Sequence, residues 1–297
     1  MLLDKIIPII AVFVLGSLLR KLRVFSKATG DILLKFVVYV SLPALTLISI
    51  TSVELSYKFA FLPVIAAFTL FTNYFIASFI GRKLRLPQNT KGTFIIAAMI
   101  MNTGFTLPFI SAAFGNSGIA RVSIFELGNE LFVFTFAYFV AIRHSKKKLD
   151  KKFVFRKIIS LPPIWALLIG LIFNMTNNEL PTLIFNTADI LSKPTNSLIM
   201  FSLGLYFHPK ANKVKYAFGA ISLRMVGGLL IGIVLANLLG LDSMTKKVAI
   251  IGAGAPVGFN TLVFSTLEDL DKEFAAGIVS YSIGIGIVVI PVLLYLL

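Results

Sequence analysis

Apolar runs of about 17–25 residues recur from one end of the 297-residue chain to the other. Each run is long enough to cross a hydrocarbon core of roughly 30 Å as an α-helix. With 57% hydrophobic and only 14% charged residues, the sequence excludes a soluble enzyme, a disordered chain and a coiled coil. It predicts an all-α polytopic membrane protein with ten transmembrane spans, at residues 4–20, 31–51, 59–80, 91–114, 119–142, 158–175, 181–207, 215–239, 246–267 and 273–297.

The basic residues lie mainly in alternate connectors between these spans. The formal net charge is +15, and the basic connectors are 20–31, 81–92, 143–157 and 208–215. Cytoplasmic loops of membrane proteins carry such an excess of Lys and Arg. We therefore expect a multi-pass protein of the cell membrane with both termini outside. The position of the charge also argues against nucleic acid as a partner.

An internal repeat divides the chain into two halves. Two pairs of short motifs match at an offset of 154 residues and a third pair matches at 158, namely Ile7-Pro8 with Leu161-Pro162, Ile96 and Gly104-Phe105 with Ile250 and Gly258-Phe259, and Asp31 to Lys35 with Asp189 to Lys193. Because each half holds an odd number of spans, the second half must be inserted upside down. We expect one five-helix repeat at 1–142, a basic linker at 143–157 and a second, inverted repeat at 158–297. Inverted repeats of this kind are typical of secondary transporters.

The fourth and ninth spans contain helix-breaking residues near their centres. Proline removes a backbone donor, and glycine weakens a helix further. Unwound backbone at membrane depth is tolerated where it lines a cavity, and the helix N-termini beside it attract anions. The alternative is a simple proline kink in each helix. The candidate substrate-binding residues at these two breaks are Asn102, Thr103, Gly104, Pro108, Pro256, Gly258 and Asn260.

Charged residues within the predicted spans are a second signal, and three of them are candidates for function. Glu126 and Glu130 are one helical turn apart on the fifth span, and Arg224 lies on the eighth. Charged groups at this depth are costly and usually face the bundle interior. We expect Glu130 and Arg224 to lie at similar depth and to pair, or the carboxylates to couple a proton or cation to transport. A purely structural ion pair is the alternative.

Several short motifs are distributed over nearly the whole chain: Ser41-Leu42-Pro43-Ala44-Leu45, Asn102-Thr103-Gly104-Phe105 with Pro108, Ala255-Pro256 with Asn260, Ala275 to Ser280, and Ile290-Pro291. Together they resemble the auxin efflux carrier (PIN-like) family, within the bile-acid, arsenite and riboflavin transporter superfamily. The resemblance implies two inverted five-helix repeats in which the fourth and ninth helices cross near the substrate. It also implies a scaffold of helices 1–2 and 6–7, a transport unit of helices 3–5 and 8–10, and export of organic anions.

We therefore expect a secondary transporter that exports a small organic anion by alternating access. The alternatives are a cation-coupled symporter of the bile-acid type and a membrane receptor that does not transport. The sequence has no cysteine, no Walker A motif and no triad or metal-ligand pattern, so we expect neither an enzyme, nor a cofactor, nor a metal site. The expected partners are the organic anion and the lipid bilayer. A homodimer is left open.

Overall fold

A computed structural model describes residues 2–145, 160–209 and 213–297, and these ranges are helical almost throughout. They contain no β-strand beyond one isolated bridge. We number the helices in chain order as α1 Leu2–Lys21, α2 Lys27–Thr51, α3 Tyr57–Lys83, α4 Gln88–Met99, α5 Thr103–Arg143, α6 Pro162–Met175, α7 Thr182–Ser192, α8 Thr195–Tyr206, α9 Val214–Leu238, α10 Ser243–Ala253, α11 Asn260–Leu267 and α12 Lys272–Leu296.

Five of these helices are long and apolar enough to cross a membrane by themselves, namely α2, α3, α5, α9 and α12. Three of the five contain a π-helical turn, at Val37–Ser41, Val133–Ala137 and Leu223–Gly227. Many of their large apolar side chains face outward, as expected for helices in lipid rather than in water. The described chain is therefore built as a polytopic helical membrane protein.

The described helices differ from the predicted spans in two places. Pro194 has no backbone N–H and separates α7 from α8, so the seventh predicted span is two helices. Gly115, at φ 56° and ψ −147°, bends α5 sharply between residues 103–114 and 116–143. This conformation is open to glycine because it lacks a Cβ. Most of the predicted linker, residues 146–157, and the start of the sixth span lie outside the described residues.

One end of the bundle is held by a polar cluster at the first turns of three helices. Asp271 accepts hydrogen bonds from Lys213 Nζ (2.6 Å) and Thr90 Oγ1 (2.7 Å), and its other oxygen accepts from the Phe274 amide (3.1 Å). Burial raises the pKa of Asp271, but the bonds from Lys213 and Thr90 outweigh it and hold that pKa below its ordinary value. The carboxylate thus ties α4, α9 and α12 together.

Close backbone packing joins α1 to α8. A Cβ atom on Gly204 would strike the Phe13 carbonyl oxygen, and one on Gly16 would strike the Phe201 carbonyl oxygen. Small residues at such contacts let two membrane helices approach closely. Arg20 adds a polar link, because its guanidinium donates to the Leu205 carbonyl at 2.7 Å.

This packing predicts that Gly204→Ala destabilises the protein by about 1–3 kcal/mol, because the added methyl group meets backbone that cannot move aside. Gly219→Ala is the matched control: its Cβ would lie 3.7 Å from the Phe94 ring, an ordinary contact. Alanine there should be neutral, or stabilising by up to about 1 kcal/mol. Thermal unfolding of both purified variants in detergent measures the difference. Equal midpoints would contradict the proposed packing.

Candidate functional site

Two helices stop in the interior of the bundle, and the chain crosses itself between them. α4 ends at Met99 and α10 at Ala253, and the helical path resumes at Thr103 and at Asn260. We call the intervening residues 100–102 and 254–259 the crossover. Its two segments run antiparallel: the Asn102 amide donates to the Pro256 carbonyl, and the Gly258 amide donates to the Ile100 carbonyl, each at 2.9 Å.

The local sequence explains why the chain leaves the helix on the α10 side. Pro256 has no N–H to continue the helix, and the residue before a proline is biased toward extended backbone. Gly258 lies so close to the other segment that a Cβ would come within 2.7 Å of the Met101 carbonyl oxygen. Glycine is therefore needed there for the close approach of the two segments.

Pro108 does not play the corresponding role on the α4 side. The sequence prediction paired it with Pro256, but Pro108 lies inside α5, beyond the first turn after the crossover. Its missing N–H leaves the Gly104 carbonyl without the usual helical donor, and Gly104 is exposed. Pro108 thus alters the helix beside the break and does not cause it.

A cavity of about 330 Å³ opens next to the crossover. α5 and α11 supply its polar lining, which includes Asn102, Thr103, Gly104, Ser123, Glu126, Glu130 and Asn260. α2, α6 and α8 supply a mainly apolar face, with residues such as Val37, Leu42, Ile164, Leu167, Ile199 and Leu203. Of the predicted site residues, Pro108, Pro256, Gly258 and Arg224 are not in the lining. Among the lining residues that the structure describes, none is Lys, Arg or His.

Asn102 begins α5 and is largely buried, with 8% of its surface exposed. Its Oδ1 accepts a hydrogen bond from the Phe105 amide at 3.1 Å, as expected for an N-cap. Its Nδ2 lies 3.5 Å from the Val257 carbonyl oxygen on the opposite segment. The side chain therefore fixes the start of the helix and also faces the cavity.

Glu126 is joined to the crossover through a short polar network. The Thr103 hydroxyl donates to Glu126 Oε2, and Asn129 Nδ2 donates to the same oxygen at 3.0 Å. Glu130 lies one helical turn further along α5 and lines the same cavity. Two carboxyl groups can share a hydrogen bond when one of them carries a proton. The pair is therefore the candidate proton-binding group of the cavity.

Arg224 is fully buried, and its guanidinium donates to two backbone carbonyls, those of Met99 (3.0 Å) and Ala253. These contacts differ from the expected salt bridge to Glu130, which stays a prediction for another state of the protein.

Sequence reasoning did not single out Phe259. This residue lines both the cavity described above and a second cavity of about 720 Å³ that includes Arg20, Lys27 and His208. Its ring packs edge-on against Tyr206, with centroids 4.8 Å apart. The available signal was the repeat itself, because Phe259 corresponds to the buried Phe105 at an offset of 154.

Comparison with known proteins gives one family and several relatives. Residues 1–294 match the family described as membrane transport protein. An uncharacterized transporter of Methanocaldococcus jannaschii is 26% identical over 298 residues, covering 97% of this chain and 96% of the relative. An uncharacterized transporter of Methanothermobacter thermautotrophicus is 26% identical over 294 residues, with the same coverage. Auxin efflux carrier component 1 of Arabidopsis thaliana is 30% identical over 143 residues, covering 45% of this chain and 23% of the relative. The predicted resemblance to auxin efflux carriers is confirmed, and these relatives are named as transporters or carriers, not as enzymes.

The cap geometry of Asn102 predicts how its substitution affects stability. Asn102→Ala should cost about 1 kcal/mol, because the Phe105 amide loses its acceptor, whereas Asn102→Ser keeps a capping oxygen and should stay close to the parent. Thermal unfolding of the two variants tests this. The cap assignment is wrong if serine destabilises as much as alanine does.

The position of Pro108 predicts that its substitution changes both the stability of the protein and its transport rate. Pro108→Ala supplies an N–H for the Gly104 carbonyl, so it should raise stability, by up to about 3 kcal/mol, and slow transport by stiffening the helix beside the crossover. Pro291→Ala in α12 is the control, since it is also a proline inside a helix, but the carbonyl that it leaves without a donor belongs to Ile287, which lies outside the cavity lining. It should stabilise without slowing transport. Identical transport rates in both variants would contradict the prediction.

Proposed function

The chain belongs to the membrane transport protein family, and we propose that within it this protein is a secondary transporter that exports a small organic carboxylate across the cell membrane by alternating access. The observation that carries this proposal is the crossover, where Asn102 and Asn260 face one cavity from two interrupted helices. Carriers bind substrate at such breaks between repeats.

The proposed architecture is ten transmembrane helices in two inverted five-helix repeats, at 1–142 and 158–297. In support, α4 ends at Met99 and α10 at Ala253, which are related by the same offset of 154 residues as the sequence motifs. The two segments that follow pair antiparallel, as an inverted repeat requires. The basic connectors favour an orientation with both termini outside.

We assign α3 to α5 and α9 to α12 to a moving unit, and α1, α2 and α6 to α8 to a scaffold. Polar links such as the Asp271 cluster hold the first group together. The scaffold has its own links, for example Asn174 Nδ2 donating to the Ile50 carbonyl at 2.8 Å. Between the two groups of helices, the cavity has apolar side chains on the scaffold side and polar side chains on the side of the moving unit. Because the scaffold side offers few hydrogen-bonding groups, few directional bonds have to break when the moving unit slides along it.

The cavity supplies donors for a carboxylate without a cationic side chain among its described lining residues. The N-termini of α5 and α11 lie at Thr103 and Asn260 and carry partial positive charge. The amides of Asn102 and Asn260 can donate to carboxylate oxygens. Arg20 and Lys27, which line the second cavity, would raise the local concentration of anions in that cavity. An organic acid, as in the relatives named for auxin efflux, fits these features.

The Glu126 and Glu130 pair is the proposed coupling site. An anion entering a cavity with ionised carboxylates is repelled, so its binding favours the protonated pair. The proton then moves in the same direction as the anion. A monovalent carboxylate and the proton together carry almost no net charge. Their export would therefore be driven by the concentration gradient of the carboxylate.

The proposal predicts that Asn102→Ser and Asn260→Ser reduce transport at least tenfold while the protein stays folded, because serine retains helix-compatible geometry but lacks the amide donors. The measurement is counterflow of labelled carboxylates in proteoliposomes, screened first by thermal shift with organic acids. Asn116→Ala, at an exposed position, is the matched control and should transport like the parent. Full transport by both serine variants would refute the proposed site.

Coupling through the carboxyl pair predicts a specific change in Glu126→Gln. Glutamine mimics the protonated side chain, so efflux should lose its acceleration by an acidic lumen, although basal counterflow should persist. Glu54→Gln, in an exposed connector, should keep the response. The measurement is labelled-substrate efflux from proteoliposomes with and without an imposed pH gradient. An unchanged gradient response in Glu126→Gln would eliminate the pair as the coupling site.

A further inference from the structure

Arg224 is a fully buried arginine that contacts both interrupted helices at once. Its Nη1 donates to the carbonyl of Met99 at 3.0 Å, and its Nη2 donates to the carbonyl of Ala253. Met99 is the last residue of α4 and Ala253 is the last residue of α10. The guanidinium therefore lies where two helix C-termini, with their partial negative charges, converge.

Two glycines of α9 allow close packing around the guanidinium. A Cβ on Gly228 would strike both the Ala253 carbonyl oxygen and the Arg224 guanidinium. A Cβ on Gly227 would lie 3.1 Å from the Asn73 Oδ1 atom. These two glycines let α9 approach α10 and α3 closely. In this arrangement the charged group therefore lies directly between the two helix ends.

The C-terminal ends of half-helices are the groups that hold a coupling Na⁺ in many secondary transporters. Here the same kind of carbonyl acceptors is already occupied by a covalently attached cation. A guanidinium remains protonated in proteins and is less strongly hydrated than an ammonium, so it is well suited to a buried position of this kind.

We infer that Arg224 is a built-in cation at the crossover, held in the place that would otherwise bind a dissociable alkali-metal ion, so that the protein works without sodium. The inference rests on the proposed function, because sodium dependence is a property of a carrier. It makes Arg224 a positioning residue, acting on the substrate through the two helix ends. It also disfavours the sodium-coupled symporter alternative.

The test is thermal unfolding of the purified protein in detergent, in sodium chloride, choline chloride or millimolar guanidinium chloride at constant ionic strength. The parent should unfold at the same temperature in sodium and in choline. Arg224→Ala should unfold about 10 °C lower, because two charge-assisted hydrogen bonds are lost. Sodium or guanidinium, but not choline, should restore part of that loss by entering the vacated site.

Arg20→Ala is the matched control. Arg20 also donates to a carbonyl near a helix end, that of Leu205, but it is only partly buried, so water can replace it. Its loss should lower the unfolding temperature less than Arg224→Ala does, with no restoration by small cations. Arg224→Lys keeps a charge and should retain much of the parent stability. If the alanine variant does not fold, Arg224→Lys is measured in its place. It should unfold at the same temperature in sodium and in choline.

Two results would overturn the inference: stabilisation of the parent or of Arg224→Lys by sodium over choline, or a loss of stability in Arg224→Ala that no small cation restores, which would indicate a packing role. These readouts do not depend on transport. A protein that moves no carboxylate would therefore defeat the proposed function while the test of Arg224 remained intact. In an active preparation, replacing sodium by choline should leave counterflow unchanged.

Discussion

Unpaired backbone groups cannot be left in an apolar interior, and the centre of this protein is arranged around that constraint. Each unsatisfied amide or carbonyl away from water costs several kcal/mol. Breaking one helix would expose such groups, but breaking two at the same depth lets each segment pair with the other. The bonds from Asn102 to Pro256 and from Gly258 to Ile100 do this. Arg224 then takes the carbonyls at the ends of α4 and α10. The crossover is therefore stable as a pair of breaks.

The distribution of polar contacts follows from the same arrangement. The polar side chains that line the cavity beside the crossover, including Thr103, Ser123, Glu126 and Glu130, lie mainly on α5. The helices opposite present aliphatic side chains to the cavity. Among the described residues, neutral hydrogen bonds join helices of the two proposed units, from Asn196 to Ser111 and between Thr46 and Ser123. Bonds of this kind exchange at small cost, which suits an interface that must break and re-form during transport.

The sequence predicts a polytopic helical membrane protein, both interruptions, and Asn102, Thr103, Gly104 and Asn260 beside them, which line the cavity. It can do so because apolar length and helix-breaking composition are local properties. It misplaces the role of Pro108, and it does not show that Pro194 divides the seventh predicted span. Proline is compatible with a helix interior when neighbouring segments satisfy the freed carbonyl, and only the tertiary structure shows where that happens. The sequence does not predict the contacts of Arg224, for another reason. Its partners are backbone carbonyls 125 and 29 residues away, and a carbonyl leaves no trace in residue identity.

Four helix ends meet at the crossover, and their charges do not cancel evenly. The C-termini of α4 and α10 are neutralised by Arg224, whereas the N-termini of α5 and α11 retain their partial positive charge toward the cavity. Glu126 already interacts with the start of α5, because it accepts a hydrogen bond from the Thr103 hydroxyl there. A substrate carboxylate would seek the same end of the same helix. Under the proposed coupling, protonation would weaken the hydrogen bond from Thr103 to Glu126 and free this position, so proton and anion binding would reinforce each other through one hydroxyl group.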